Sequence, residues 1–256
     1  MHKKIALSIC STYLFQLLPA TADTAQLTKP QSFAQWCQQK NSLPAATRKT
    51  IEALLKEVRT KNCQLADERV KKKTSLFIKN EQISDLTPLA SMTKLELIDL
   101  SNNRIRDLQP LAGLTNLNWL TLEKNRISDL KPLSGLEKLT YINLSSNRIS
   151  DLQPLSGLKE LSFIVLDDNQ ISDLQPLTSL TNLGTIYLEK NRISDVKPLT
   201  ALSRTLFQLV LNNNQISDVQ PLAALINLEQ LHLRNNPIAR KDCPLKTTSI
   251  FSICRF

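Results

Sequence analysis

A 22-residue beat governs most of this chain. Residues 114–135 read LTNLNWLTLEKNRISDLKPLSG, and the next two blocks, 136–157 and 158–179, read LEKLTYINLSSNRISDLQPLSG and LKELSFIVLDDNQISDLQPLTS. Asparagine keeps time. Asn103, Asn125, Asn147, Asn169 and Asn191 stand 22 residues apart, Asn214 follows after 23 because one residue is inserted near Arg204, and Asn236 comes 22 later. A unit this short cannot bury its apolar face alone and must lean on copies of itself. A fixed period in the twenties therefore dictates a stack of coils around one continuous core. The 256 residues are expected to form one elongated unit, not two globular domains.

The repeated unit, L-x-x-L-x-L-x-x-N-x-I, carries the leucine-rich-repeat signature. Alternation through Leu117-Asn118-Trp119-Leu120-Thr121-Leu122 predicts a short parallel strand. Leu117, Leu120 and Leu122 enter the core; Trp119, Thr121 and Glu123 face out. Asn125 turns the chain, its amide placed to satisfy backbone groups of adjacent coils, and Ile127 returns to the core. Pro132 fixes its own φ and donates no hydrogen bond, so the opposite side is a tight turn or a 3₁₀ segment. The fold class is thus an α/β solenoid with a parallel sheet on the concave face and 3₁₀ turns on the convex face.

Both ends differ from the stack. Lys3 and Lys4 precede an apolar run from Ile5 to Leu18, and Ala20-Thr21-Ala22 fits small-residue cleavage, so residues 1–22 read as a signal peptide and Asp23 as the mature start. The run is too short for a membrane span. Residues 23–73 form a helical cap: Ser32 opens a helix bearing Phe33, Trp36 and Cys37, Ser42 and Pro44 open a second with Ile51, Leu54, Leu55 and Val58 at core spacing, and Cys63 begins a third turn. The solenoid, about eight coils, spans residues 74–240. Its first coil is degenerate, with Glu81 in place of asparagine and Lys73 in place of leucine. Residues 241–256 close the other end, where Phe251, Ile253 and Phe256 can cover the last leucines.

Four cysteines stay once Cys10 leaves with the signal. The stack holds Cys37 and Cys63 tens of ångströms from Cys243 and Cys254, so pairing is local, Cys37–Cys63 and Cys243–Cys254. Export supplies the oxidising compartment, and the separation rules out a four-thiolate zinc site. The chain is therefore read as exported, to the periplasm or the medium, with no transmembrane segment. Removing residues 1–22 takes two of the 32 basic residues and none of the 23 acidic ones, leaving +7. Residues 23–73 hold 11 bases against 5 acids. That basic cap reads as a solvated face, with contact to anionic polymers or lipid headgroups as the alternative, and nucleic-acid signatures are lacking.

Two columns of side chains invite a functional reading. Asp85, Asp107, Asp129, Asp151, Asp173, Asp195 and Asp218 recur just before the proline turn, where aspartate caps free N–H groups, with Arg104, Arg126, Arg148 and Arg192 placed to offset the charge. On the sheet side, five of the six aromatics between Phe77 and Asn236 fall at outward positions, where the core has no need of them. Leu97, Trp119, Tyr141 and Phe163 are consecutive in one column, spaced roughly 4.8 Å apart. Beside them stand Thr121, Asn143, Val165 and Tyr187, edged by Glu123, Asp167 and Glu189. Exposed contiguous apolar surface marks interaction sites, and Trp and Tyr are common anchors. Phe207, in the coil with the extra residue, has no assigned role.

The run I-S-D-[LV]-x-P-L-x-x-L-T-x-L, seen in ISDLTPLASMTKL from Ile83, ISDLKPLSGLEKL from Ile127 and ISDVKPLTALSR from Ile193, resembles the repeat of the internalin family of exported bacterial proteins. The resemblance spans residues 75 to about 240 and implies a curved right-handed solenoid that binds a macromolecule on its concave sheet. It names no ligand. Wall-attachment regions frequent in that family are missing, which argues against assuming host-surface adhesion.

The expected function is a non-catalytic recognition module that binds a protein partner through the concave stripe, as a monomer and without a cofactor or metal. Envelope glycan is the alternative ligand, since Trp, Tyr and Phe edged by acids and amides can also stack sugar rings. No nucleophile, metal or phosphate-loop motif appears. The one reading that keeps catalysis open is a cluster of Glu123, Asp167 and Glu189.

Overall fold

The computed structural model describes residues 32–239, 242–245 and 254–255. The signal-peptide assignment, and the closing roles given to Phe251, Ile253 and Phe256, lie outside these residues.

Nine parallel strands make one sheet in chain order. They are β1 (Ser75–Phe77), β2 (Leu97–Asp99), β3 (Trp119–Thr121), β4 (Tyr141–Asn143), β5 (Phe163–Val165), β6 (Thr185–Tyr187), β7 (Gln208–Val210), β8 (Gln230–His232) and β9 (Cys254–Arg255). Between successive strands from β1 to β8 the chain crosses the opposite side through 3₁₀ turns such as Lys131–Leu133, each with proline near its start. Strand–crossover–strand units of this kind are right-handed. The strands stack at the tightest spacing backbone allows, so the sheet takes the concave side.

Each coil buries its leucines almost completely. Leu117, Leu120, Leu122, Ile127, Leu133 and Leu136 are all fully covered. The asparagine of each turn then joins coil to coil. Asn125 Nδ2 donates to Leu100 O and Leu122 O, each at 3.0 Å, and its Oδ1 accepts from Ile105 N at 3.0 Å. Asn103, Asn147, Asn169, Asn191, Asn214 and Asn236 repeat the pattern on their own neighbours. The residue just before each of these asparagines holds a left-handed backbone, among them Asn102, Lys124, Ser146, Asp168, Lys190, Asn213 and Asn235 at φ 52–58°.

The cap is three helices: α1 (Phe33–Gln38), α2 (Ala45–Glu57) and α3 (Cys63–Lys72). Ser32 caps α1 through a reciprocal box with Gln35. The start of α2 differs from expectation: Ser42 belongs to a preceding 3₁₀ turn and bonds Gln39 O, and Pro44 precedes the helix without a side-chain cap. Helix α3 is a full ten residues, capped by Asn62. Cys37 and Cys63 form a disulfide between α1 and α3, and Cys243 and Cys254 form the second. Cys254 thereby anchors β9, a ninth strand that the sequence pattern did not reveal and that pairs Leu231↔Cys254.

The degenerate first coil is where cap and stack meet. Lys73 pairs with Glu57 at 2.8 Å and Glu81 with Lys56 at 2.5 Å. Beneath them, Thr47 Oγ1 donates to Asp85 Oδ2 at 2.5 Å and Thr50 Oγ1 to Asp85 O at 2.6 Å. Asp85 thus tethers α2 as well as receiving Thr87 N at 2.8 Å.

Replacing Asn125 by alanine orphans buried backbone groups on two coils, and each such loss costs about 1–3 kcal/mol. Urea unfolding of Asn125→Ala is expected to show a destabilisation of about 3 kcal/mol or more with an unchanged m-value. Reduction of Cys37–Cys63, which closes 26 residues, is expected to remove about 3 kcal/mol in the same assay.

Candidate recognition surface on the concave sheet

Strand register places the outward side chains. One column runs Ser75, Leu97, Trp119, Tyr141, Phe163, Thr185, Gln208, Gln230, and the next runs Phe77, Asp99, Thr121, Asn143, Val165, Tyr187, Val210, His232. Trp119 and Tyr141 stack with ring centres 3.7 Å apart and planes 11° from parallel. Tyr141 meets Phe163 edge-to-face at 5.2 Å. The row would end there, because the next residue in register, Thr185, is short and covered. Instead Phe163 turns across to Tyr187 in the second column, edge-to-face at 5.5 Å. The result is a four-ring ribbon that crosses the sheet diagonally. Each ring contact contributes about 0.5–1.5 kcal/mol beyond burial.

Two residues expected to offer contact area do not. Thr121 and Val165 point to the concave side but are each only 8% exposed. Trp119 leans over Thr121 and donates Nε1–H to its Oγ1 at 3.2 Å. Val165 sits in register between Asn143 and Tyr187. Both are floor beneath the larger side chains. Trp119, by contrast, is 40% exposed, and Leu97, Tyr141, Asn143, Phe163, Tyr187, Glu123, Asp167 and Glu189 are partly exposed.

The acids along the edge do separate jobs and form no three-carboxylate cluster. Glu123 pairs with Lys124 at 2.8 Å. Glu189 turns its carboxylate to Asn212 Nδ2 and Asn213 Nδ2, at 3.3 and 3.2 Å. Asp167 Oδ1 accepts the backbone N–H of Glu189 at 2.6 Å. Burial pushes the Asp167 carboxyl up to about 6, the hydrogen bond from Glu189 opposes that, and the charges of Glu189 and Asp168 add to it. Burial also raises the Tyr141 hydroxyl, against a hydrogen bond with Asn143, so it stays a neutral donor at the centre of the face. His232 is lowered by burial and by Arg255 and Arg234.

On the convex side, Asp107, Asp129, Asp151, Asp173, Asp195 and Asp218 each accept a backbone N–H two residues on, at 2.8–2.9 Å. They sit one residue before the cap position proper. The expected arginine partners are not engaged: among the described residues no ion pair joins Arg104, Arg126, Arg148 or Arg192 to this column. Backbone dipoles hold these carboxylates, and the arginines extend into solvent.

Two features escaped the sequence reading. Asn116, Asn182 and Asn227 donate to Thr93 O, Lys159 O and Arg204 O of the preceding coil, at 2.8–3.0 Å. This is a second, outer set of amide contacts, signalled by the recurring L-x-N-L that begins at Leu114, Leu180 and Leu225. Phe207 lies over Gly184, where a Cβ would approach its ring to 2.4 Å. The phenylalanine can occupy that site only because the coil before it carries glycine.

A solenoid of parallel three-residue strands, asparagine-linked turns and a disulfide-bonded helical cap is a leucine-rich-repeat architecture. The family described as Leucine Rich repeats (2 copies) matches residues 115–157, 158–201 and 204–246. Internalin C2 from Listeria monocytogenes is 33% identical, with a TM-score of 0.60 over 69% of this chain and 88% of that one. The chain belongs to the leucine-rich-repeat family, in its internalin-type form. A leucine-rich-repeat protein of Leptospira interrogans is 27% identical with a TM-score of 0.62, over 69% of this chain and 46% of that one. The ectodomain of an Arabidopsis thaliana receptor kinase shares the fold at 23% identity and a TM-score of 0.58, over 67% of this chain and 22% of that one. No curated protein matches by sequence. Proteins of this family are generally interaction modules that use the extended concave surface. Among the described residues no helix is long and apolar enough to cross a membrane.

The Asp167 environment predicts a pH dependence. Folded, its carboxyl holds a proton up to about pH 6, whereas its ordinary value is 3.8. Between those values the folded state binds more protons than the unfolded one, so stability falls as pH rises through this window. Asp167→Asn is expected to flatten that fall and to be at least as stable as wild type at neutral pH, read by thermal unfolding from acid to neutral pH.

Proposed function

We propose that the protein is an exported, non-catalytic recognition module, acting as a monomer without cofactor, that binds a protein partner through the ribbon Trp119–Tyr141–Phe163–Tyr187. The observation that carries this reading is the ribbon's position. Four rings lie together on the concave side of a core already filled by leucine and isoleucine, and Trp119 keeps 40% of its surface open. The leucine and isoleucine core beneath is complete without them. Leu97 and Asn143 extend the contact surface on either side, and Glu123, Asp167 and Glu189 give it an acidic edge. Two disulfides support export to the periplasm or medium.

The ring geometry favours protein over glycan. A sugar platform needs an open aromatic face, and the near-parallel stack uses the facing sides of Trp119 and Tyr141 on each other. The edges and the Tyr141 hydroxyl that stay open suit side chains and backbone amides. The acids are committed to Lys124, a backbone N–H, and Asn212 and Asn213, and no catalytic step is assigned to them.

The test is capture from envelope and secreted fractions by wild type and by Trp119→Ala/Tyr141→Ala/Phe163→Ala, compared where both are folded. The expected result is one protein retained by wild type, lost with the triple variant and indifferent to excess envelope polysaccharide. Equal capture by both would place the site elsewhere, and competition by polysaccharide would make the ligand a glycan.

A further inference from the structure

The column of Leu97 ends at Ser75, but the second column carries one more ring. One strand further toward the cap, Phe77 on β1 is 48% exposed, beside an open hollow of about 760 Å³ between α2 and the first coil. Its rim is basic: Lys56, Arg59, Lys73 and Lys79 against Glu57 and Glu81. Three of these bases are already paired, Lys56 with Glu81, Lys73 with Glu57 and Lys79 with Asp99 at 2.6 Å. Arg59 is not: among the described residues no carboxylate pairs with it. Arg59 also lines a second hollow of about 660 Å³ near the end of α2, with Lys40, Lys56 and Lys61 against Glu52 on that rim.

Backbone geometry fixes Arg59 between the two hollows. It follows the C-cap Val58 with φ 54°. Arg59 N bonds Lys56 O at 3.1 Å and Thr60 N bonds Leu55 O at 3.2 Å. This is a Schellman ending, whose left-handed position most often takes glycine. Here it holds an arginine.

We infer that this hollow is an anion-binding subsite for a carboxylate-bearing segment of a polypeptide, with Arg59 meeting the carboxylate and Phe77 packing the neighbouring side chain. The inference rests on the protein-binding reading of the concave face for the class of partner, but not for the site itself. Charge decides the class within anions. A dense polyanion is held by a run of unpaired bases, whereas in the hollow that Phe77 lines three of four bases are neutralised in place and one fork-shaped donor is free. A guanidinium matches a single carboxylate in two parallel hydrogen bonds. Phe77 lies two strands from Trp119 and one column across, about 12 Å, a gap that roughly four extended residues span. One extended segment can therefore set an acidic residue on Arg59 and continue onto the ribbon.

The experiment uses the disulfide-oxidised full chain and a fluorescein-labelled Phe-Glu-Glu-Glu peptide, read by anisotropy. The expected result is saturable binding, weakened about tenfold by Arg59→Gln, reduced by Phe77→Ala, lost with Phe-Gln-Gln-Gln and unchanged by Lys131→Ala on the convex turn. Arg59→Gly separates site from fold: glycine suits the left-handed position, so the Tm is expected to hold or rise while binding is lost. Binding that ignores Arg59→Gln, or an equal response to the glutamine peptide, overturns the inference. So does a heparin hexasaccharide that binds through Arg59 when the peptide does not, which would make the subsite a glycan one. Peptide binding here without partner capture by the ribbon would mark failure of the concave reading alone; the reverse would mark failure of this subsite alone.

Discussion

One asparagine amide per coil carries the architecture. A parallel sheet satisfies the backbone on its own side, but where each coil leaves the sheet its carbonyls and N–H groups have no ladder to join. The Asn125 side chain spans that gap, donating to Leu100 O and Leu122 O while accepting from Ile105 N. No other residue type offers two donors and an acceptor on so short a stem. Glutamine is too long for the turn, and aspartate lacks the donors. Because each amide reaches into its neighbour, a coil is satisfied only when the next is in place, which makes the stack cooperative from one end to the other.

Capping follows from the same requirement. At the first coil the ladder position is Glu81, which cannot donate, and the role passes to the cap through Lys56, Thr47 and Thr50. At the far end β9 supplies the strand that Leu231 and His232 would otherwise lack, held there by Cys243–Cys254. With the core filled by leucine and isoleucine along the whole stack, the outward rings are not needed to complete it. That freedom is why a ribbon of aromatics on the concave face speaks for function: its rings stack on one another, but the core beneath is complete without them.

Much of this was legible in the sequence, because the 22-residue period fixes register, and register fixes which side chains become neighbours. Trp119, Tyr141 and Phe163 could be placed in one column before any coordinate. Less legible was everything decided by side-chain reach. Thr121 and Val165 have outward parity, yet parity says nothing about a tryptophan folding over its neighbour. The step from Phe163 to Tyr187 depends on Thr185 being too short to continue the row. The Asp column was read correctly as backbone capping, but the arginines beside it are not its partners, since sequence proximity does not say which way a long side chain points. Strand β9 rests on two residues and a disulfide, too little signal for any periodic pattern.

The account turns on the concave ribbon being the surface a partner touches. The most direct measurement is site-specific photocrosslinking in intact envelope fractions, with a benzophenone side chain placed at Trp119 or Phe163 on the concave face and at Lys131 on the convex turn. The account predicts a discrete adduct from positions 119 and 163 and none from 131. An adduct from 131 alone would put the interface on the convex side and contradict it.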